Sequence, residues 1–288
     1  ADSIMADAKF EKFHLKIENR VLKQKSPVRV LFSNQTFALQ DVHLRGDDVK
    51  LVLNGTAPLK APLNLGIYAS GPLPGINGLW SGIEFTRGKF ELNLRMGGVF
   101  GNPSYTGHFD LREGAILAQQ NRFTDISTRV EFQGQTISVT NGSAKIGEGF
   151  STFSGTILRF PNAPAQVNID ASLKELNLTP TRGLELTTSG TLNLIGQSND
   201  LELRGDISLE SLRYTANLEL QQLFKKQETP LSVPAFEPGQ SWRLRINVEG
   251  DDNLLVANNV LEAEFKTSLR VTGTTDHIDA IGTVTPLW

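Results

Sequence analysis

Residues 130–157 read VEFQGQTISVTNGSAKIGEGFSTFSGTI, and their pattern decides the fold class. Val130 and Phe132 flank a glutamate, Ile137 and Val139 a serine, Ala144 and Ile146 a lysine. Successive side chains of a strand point to opposite faces, so each triplet has one apolar and one polar face. Gly134, Asn141-Gly142 and Gly147 punctuate the triplets and predict tight turns between short strands.

The same pattern continues outward in both directions. It recurs in VRVLF (28–32), VKLVLNG (49–55), LNLGIYASG (63–71), KFELNLRMGG (89–98), QVNIDASL (166–173), LELTTSGTLNLIG (184–196) and RLRINVEG (243–250). Turn signals about every ten residues, with no helical period between them, predict an all-β chain and argue against βαβ units. One stretch differs. In TANLELQQLFKK (215–226) Leu220, Leu223 and Phe224 have helical spacing, and two lysines suit a helix C-terminus, which predicts a short helix. The following 227–240 contains Pro230, Pro234 and Pro238 and predicts a long loop. A degenerate repeat, with a Gly-Thr step in FSGTI (153–157), TSGTLNL (188–194) and VTGTT (271–275), fits a solenoid or long meander better than a compact barrel.

Composition removes several function classes. The chain has 288 residues, 28 basic and 31 acidic, for a net charge of −3, which gives no reason to bind nucleic acid. There is no cysteine, hence no disulfide, thiolate metal site or thiol nucleophile. No apolar run approaches the roughly 18–20 residues that span a bilayer. The chain opens on Ala and ends on GTVTPLW after a strand-like run. Both ends read as cuts in a longer protein, with any membrane anchor or partner-binding terminus outside it. His14, His43, His108 and His277 have no partner at metal-ligand spacing, and no nucleophile elbow is present. Asp47-Asp48 and Asp251-Asp252 sit beside glycines and read as turn residues, not a catalytic pair. No cofactor is expected, and no enzyme. What remains is amphipathic strand whose apolar faces need a cover, either protein or an apolar ligand.

The ordered series resembles one family. SPVRVLFSNQTFALQDVHLRGDDVKLVLNGTAPL (26–59) is similar to a strand pair closed by a Gly-bearing turn, and GNPSYTGHFDLREGAIL (101–117) to a strand after a Pro-bearing turn. FTDISTRVEFQGQTISVTNGSAKIGEGFSTFSGTI (123–157) and DNLLVANNVLEAEFKTSLRVTGTTDHIDAIGTV (252–284) are similar to its later segments. Taken in order, these stretches identify the chain as resembling the translocation and assembly module TamB family, in the AsmA-like group of bridge-like lipid-transport proteins.

The resemblance implies an all-β, long, curled, antiparallel-rich sheet: a taco-like, solenoid-like groove with an apolar interior and at most one or two short helices, formed by residues 1–288 as one segment of a longer protein. It implies phospholipid as the occupant and a periplasmic site between two membranes. An inner-membrane anchor and contact with a TamA-type outer-membrane barrel would lie outside this chain. The expected groove lining is Leu51, Leu53, Leu63, Leu65 and Ile67, then Phe90, Leu92 and Leu94. It continues through Val130, Phe132, Ile137, Val139, Val167 and Ile169 to Leu192, Leu194, Ile246, Val248, Leu269 and Val271. Some 22–28 short strands at about 4.8 Å would give a groove of about 105–135 Å. The alternatives are a surface β-solenoid adhesin with a dry core and a polysaccharide-active β-helix, which lacks the carboxylate cluster it would need.

Overall fold

The computed structural model describes residues 5–17, 20–46, 48–77, 84–118, 121–216 and 241–287. The first strands are β1 (Met5–Phe10), β2 (His14–Ile17), β3 (Arg20–Gln24), β4 (Val28–Ser33), β5 (Thr36–Gly46), β6 (Val49–Pro58) and β7 (Asn64–Pro72). A 3-10 turn (Leu73–Ile76) precedes β8 (Glu84–Val99), β9 (Asn102–Ala118), β10 (Asn121–Gly134), β11 (Thr136–Ile146) and β12 (Gly149–Phe160). Then follow β13 (Ala163–Thr181), β14 (Leu184–Gln197), β15 (Asp200–Tyr214), β16 (Arg243–Ala257), β17 (Glu262–Gly273) and β18 (Ile278–Leu287).

All eighteen strands belong to one open, curled sheet. From β4 to β15 each strand pairs antiparallel with the next. β1 pairs with β4, and the β2–β3 hairpin attaches to β5 through Lys23 and Gln24. β15 and β16 run parallel, after which β17 and β18 return to antiparallel pairing. A parallel step needs a long return connection. Most of the predicted helix (217–226) and the proline-rich loop (227–240) lie in that connection, outside the described residues; Thr215 and Ala216 are not helical.

The expected strand count and length are corrected downward, because several glycine signals are bulges inside strands rather than turns. β11 runs straight through Asn141-Gly142: its register slips between Val139 and Gly142, and Asn141 adopts φ 52°. Asp251-Asp252 lies within β16, where the register slips between Gly250 and Leu254 and Asn253 has φ 57°. LELTTSGTLNLIG is one strand, β14. The sixteen strands stacked from β1 and β4 to β18 therefore extend about 70 Å at the usual spacing. Gly147 does occupy a turn, and Gly134 ends β10 directly before the turn residue Gln135.

Bulges also explain the curl. Left-handed residues sit inside consecutive strands, at Glu113 in β9, Asp125 in β10 and Asn141 in β11, and again at Glu175 in β13. Each bulge bends its strand and increases the local twist. Past the short β11–β12 tip, the Asn121 side chain bonds both polar groups of the Thr179 backbone, at 2.8 and 3.3 Å, tying β10 to β13. Glycine allows close strand approach at Gly107, which has φ 142° and where a Cβ would strike the Asn93 carbonyl oxygen. Gly107→Ala is expected to cost about 1–3 kcal/mol in a urea melt. Gly101→Ala, at a tip with open space around it, should be silent.

The chain exposes 18445 Å². A compact 31.6 kDa protein would expose about 12,000 Å². A single sheet with no second layer among the described residues contributes to that excess. Among the described residues the buried core cluster lies toward the N-terminal side, where Leu22, Val28, Val42, Leu44, Val49, Phe90 and Leu111 close around Leu73 of the 3-10 turn.

Candidate functional site

Residues paired directly across a ladder share a face of the sheet. One row runs Leu53, Ile67, Leu94, Gly107, Phe132, Ile137, Ile157, Val167 and Gly196, from β6 to β14. The next runs Leu51, Ala69, Leu92, Phe109, Val130, Val139, Gly155, Ile169, Leu194, Leu203 and Leu244, and so crosses into β16. Leu192 joins Ile246 and Val271 through Gly205, and Ile207 joins Val248 and Leu269. Leu65 pairs with Met96, and Phe90 with Leu111, in the same phase. Every strand position expected to line the groove therefore lies on a single face. Leu63 stands just before β7, buried, with its N–H bonded to the Gly98 carbonyl.

The face is not uniform. Phe90 belongs to the N-terminal core, with Leu51 and Leu53 packed against it. Leu63 and Val167 are buried. Leu65, Ile67, Leu92, Leu94, Val130, Phe132, Ile137, Val139, Ile169, Leu192, Leu194, Ile246, Val248, Leu269 and Val271 are only half-buried. The burial of β12 alternates along its whole length, as does that of β17 up to its last turn. A contiguous row of half-buried Leu, Ile, Val and Phe marks an apolar surface that needs a partner.

The opposite face is self-satisfied. Asn193 donates to the side-chain oxygens of Asn168 and Asp170, both at 2.8 Å, and Asn247 donates to Asp206 at 2.7 Å. A shallow furrow of 790 Å³ runs along these polar rows, across β11 to β15. At the parallel seam Glu202 is only 4% exposed. It lies 2.7 Å from Arg204, 3.3 Å from Arg243 and 3.4 Å from Arg245. The hydrogen bond from Arg204 holds its carboxyl below the ordinary glutamate range, aided by the charges of all three arginines and opposed by burial. A depressed folded-state pKa stabilises above the unfolded value, and that stability is lost as pH falls through the folded value. Glu202→Gln should thus cost on the order of 1 kcal/mol near neutral pH. The deficit should vanish in urea melts run well below pH ~4.3, the unfolded value. The alternating ELR (202–204) and RLR (243–245) were the only trace of this cluster in the sequence.

His277 stands in the β17–β18 turn, 3.7 Å from Asp279. Among the described residues no three His, Asp or Glu side chains gather as metal ligands, and no helix is long and apolar enough to cross a membrane. Over residues 135–286 the chain matches the family model of the TamB C-terminal domain. The chain belongs to the TamB family. The TamB match begins at the turn before β11 and ends in β18, so it takes in the half-buried apolar positions from Ile137 onward and the parallel seam. No curated protein and no solved structure matches the chain. TamB proteins are transport and assembly proteins associated with TamA, and are not known as enzymes.

Proposed function

We propose that this TamB-family chain is part of a periplasmic bridge whose apolar β-face conducts phospholipids between the inner and outer membranes, supporting outer-membrane assembly and integrity. The observation that carries the reading is the unbroken apolar row from β6 to β16, most of it only half covered by protein. Acyl tails would complete the burial, at about 0.8 kcal/mol per CH₂ kept from water. The fold itself is then the site, and lipid movement needs no catalytic residue. A TamA-type outer-membrane barrel is the protein partner that this reading implies.

The test is the organic extract of the purified chain. Mass spectrometry should find phospholipid well above a matched control protein taken through the same detergent steps. A lipid-free extract would favour a dry, adhesin-like packing of the face.

A further inference from the structure

The two rims of the sheet differ in chemistry. The turns joining β4–β5, β6–β7, β8–β9, β10–β11 and β12–β13 all lie on one rim. There Phe37, Leu59, Val99, Phe100, Leu158 and Phe160 are between 38% and 58% exposed. The tips are continuous. Leu59 N–H bonds Gln35 O at 2.8 Å, Gln135 reaches Asn102 at 2.7 Å, and Arg159 N–H bonds Gln135 O at 2.9 Å. The Arg159 guanidinium also lies 4.9 Å above the Tyr105 ring.

Charge divides the rims as well. The tip segments 31–37, 56–65, 95–106, 132–138 and 156–167 contain no Asp or Glu, and their charged residues are Lys60, Arg95 and Arg159. On the opposite rim, Asp48, Glu148, Glu175, Glu185 and Glu262 lie in or beside the turns. The acid-free stretch ends at Asp200, the first residue of β15.

We propose that this acid-free rim is a membrane-docking edge, seating its apolar tips at the interface of a bilayer that carries anionic headgroups. Apolar side chains entering the interface with cations beside them is the physics of peripheral membrane binding, and the absence of carboxylates removes the repulsion. Four of the five tips carry an exposed apolar side chain and three carry a cation, so the attachment is multivalent along the edge. The inference goes beyond lipid conduction and does not depend on it, because an edge can dock whether or not the face carries lipid.

The test is sedimentation of the full chain with phosphatidylcholine vesicles, with and without phosphatidylglycerol. Binding is expected only to the anionic vesicles, and to weaken with salt. Phe100→Ser with Phe160→Ser should lower affinity about tenfold or more, as should Lys60→Glu with Arg95→Glu. Phe150→Ser, an exposed aromatic on the opposite rim, should leave affinity unchanged, and thermal melts confirm that each variant is folded. Equal binding to neutral vesicles, no binding to either, or equal loss on Phe150→Ser would overturn the proposal. Lipid-independent dimerisation abolished by the Phe100 and Phe160 pair would also overturn it, and would assign the rim to self-association. Vesicle pelleting is read independently of lipid co-purified on the face, so an empty face leaves this test intact.

Discussion

Ile137→Asp should arrest lipid passage while leaving the chain folded. Ile137 stands on the apolar face between Phe132 and Ile157, half-buried, with no second sheet above it among the described residues. A carboxylate there meets acyl chains directly. On insertion scales a charge in hydrocarbon costs about 2.5–3.5 kcal/mol, or roughly a hundredfold in the rate of passing that point. The side chain retains access to water, so unfolding is not the expected outcome. The adjacent Ser138 is a poor control, because it faces Glu131 and a second carboxylate would repel it. Thr156 is better: it is exposed, points to the opposite face, and is flanked across the ladders by Ser138 and Asn168. Thr156→Asp should leave both melting temperature and outer-membrane permeability near wild type. Loss of permeability control with an unchanged melt identifies Ile137 as track. An unfolded Ile137→Asp identifies a self-packed core.

Leu44→Ala should be among the most destabilising single substitutions, and Ile246→Ala among the mild ones, although both positions carry an aliphatic side chain on the apolar face. Leu44 is 2% exposed and packed in the cluster around Leu73. Truncation leaves a cavity and should cost about 2–5 kcal/mol. Ile246 is half-buried, paired with Gly205 on one side and Val271 on the other. Removing it forfeits little packing, and should cost on the order of 1 kcal/mol in lipid-free protein. Urea melts of the two variants separate a dry N-terminal core from an open C-terminal face. Equal, large losses would mean that the whole face is self-packed.

Period-2 alternation is a local signal, which is why the fold class and the facing of Leu51, Val130, Ile169 and Leu269 were legible in the sequence. Facing depends only on counting by twos along a strand, and the register chains those counts together. What lay outside the sequence reading was non-local. Asn141-Gly142 has the composition of a turn, yet pairing with Phe153 makes it a bulge. Only the neighbouring strand decides between the two. The closure of the N-terminal end by Leu73 was equally hidden, because Leu-Pro-Gly-Ile reads as loop and carries no period. The parallel step between β15 and β16 left one clue, the long proline-bearing stretch between them, since a tight turn cannot join parallel strands. Glu202 looked like one more solvated charge until Arg243 and Arg245 were brought beside Arg204 across that seam.

The central claim is that lipid occupies one face of this sheet and not the other. A photo-crosslinking residue placed in turn at Phe132, Ile169 and Ile246, and at their outward neighbours Glu131, Asn168 and Asn247, tests it most directly. Adducts are then read by lipid mass spectrometry after irradiation in cells. The account predicts phospholipid adducts at all three inner positions and none at the outer three. Adducts on both faces alike, or on the outer face alone, would contradict it.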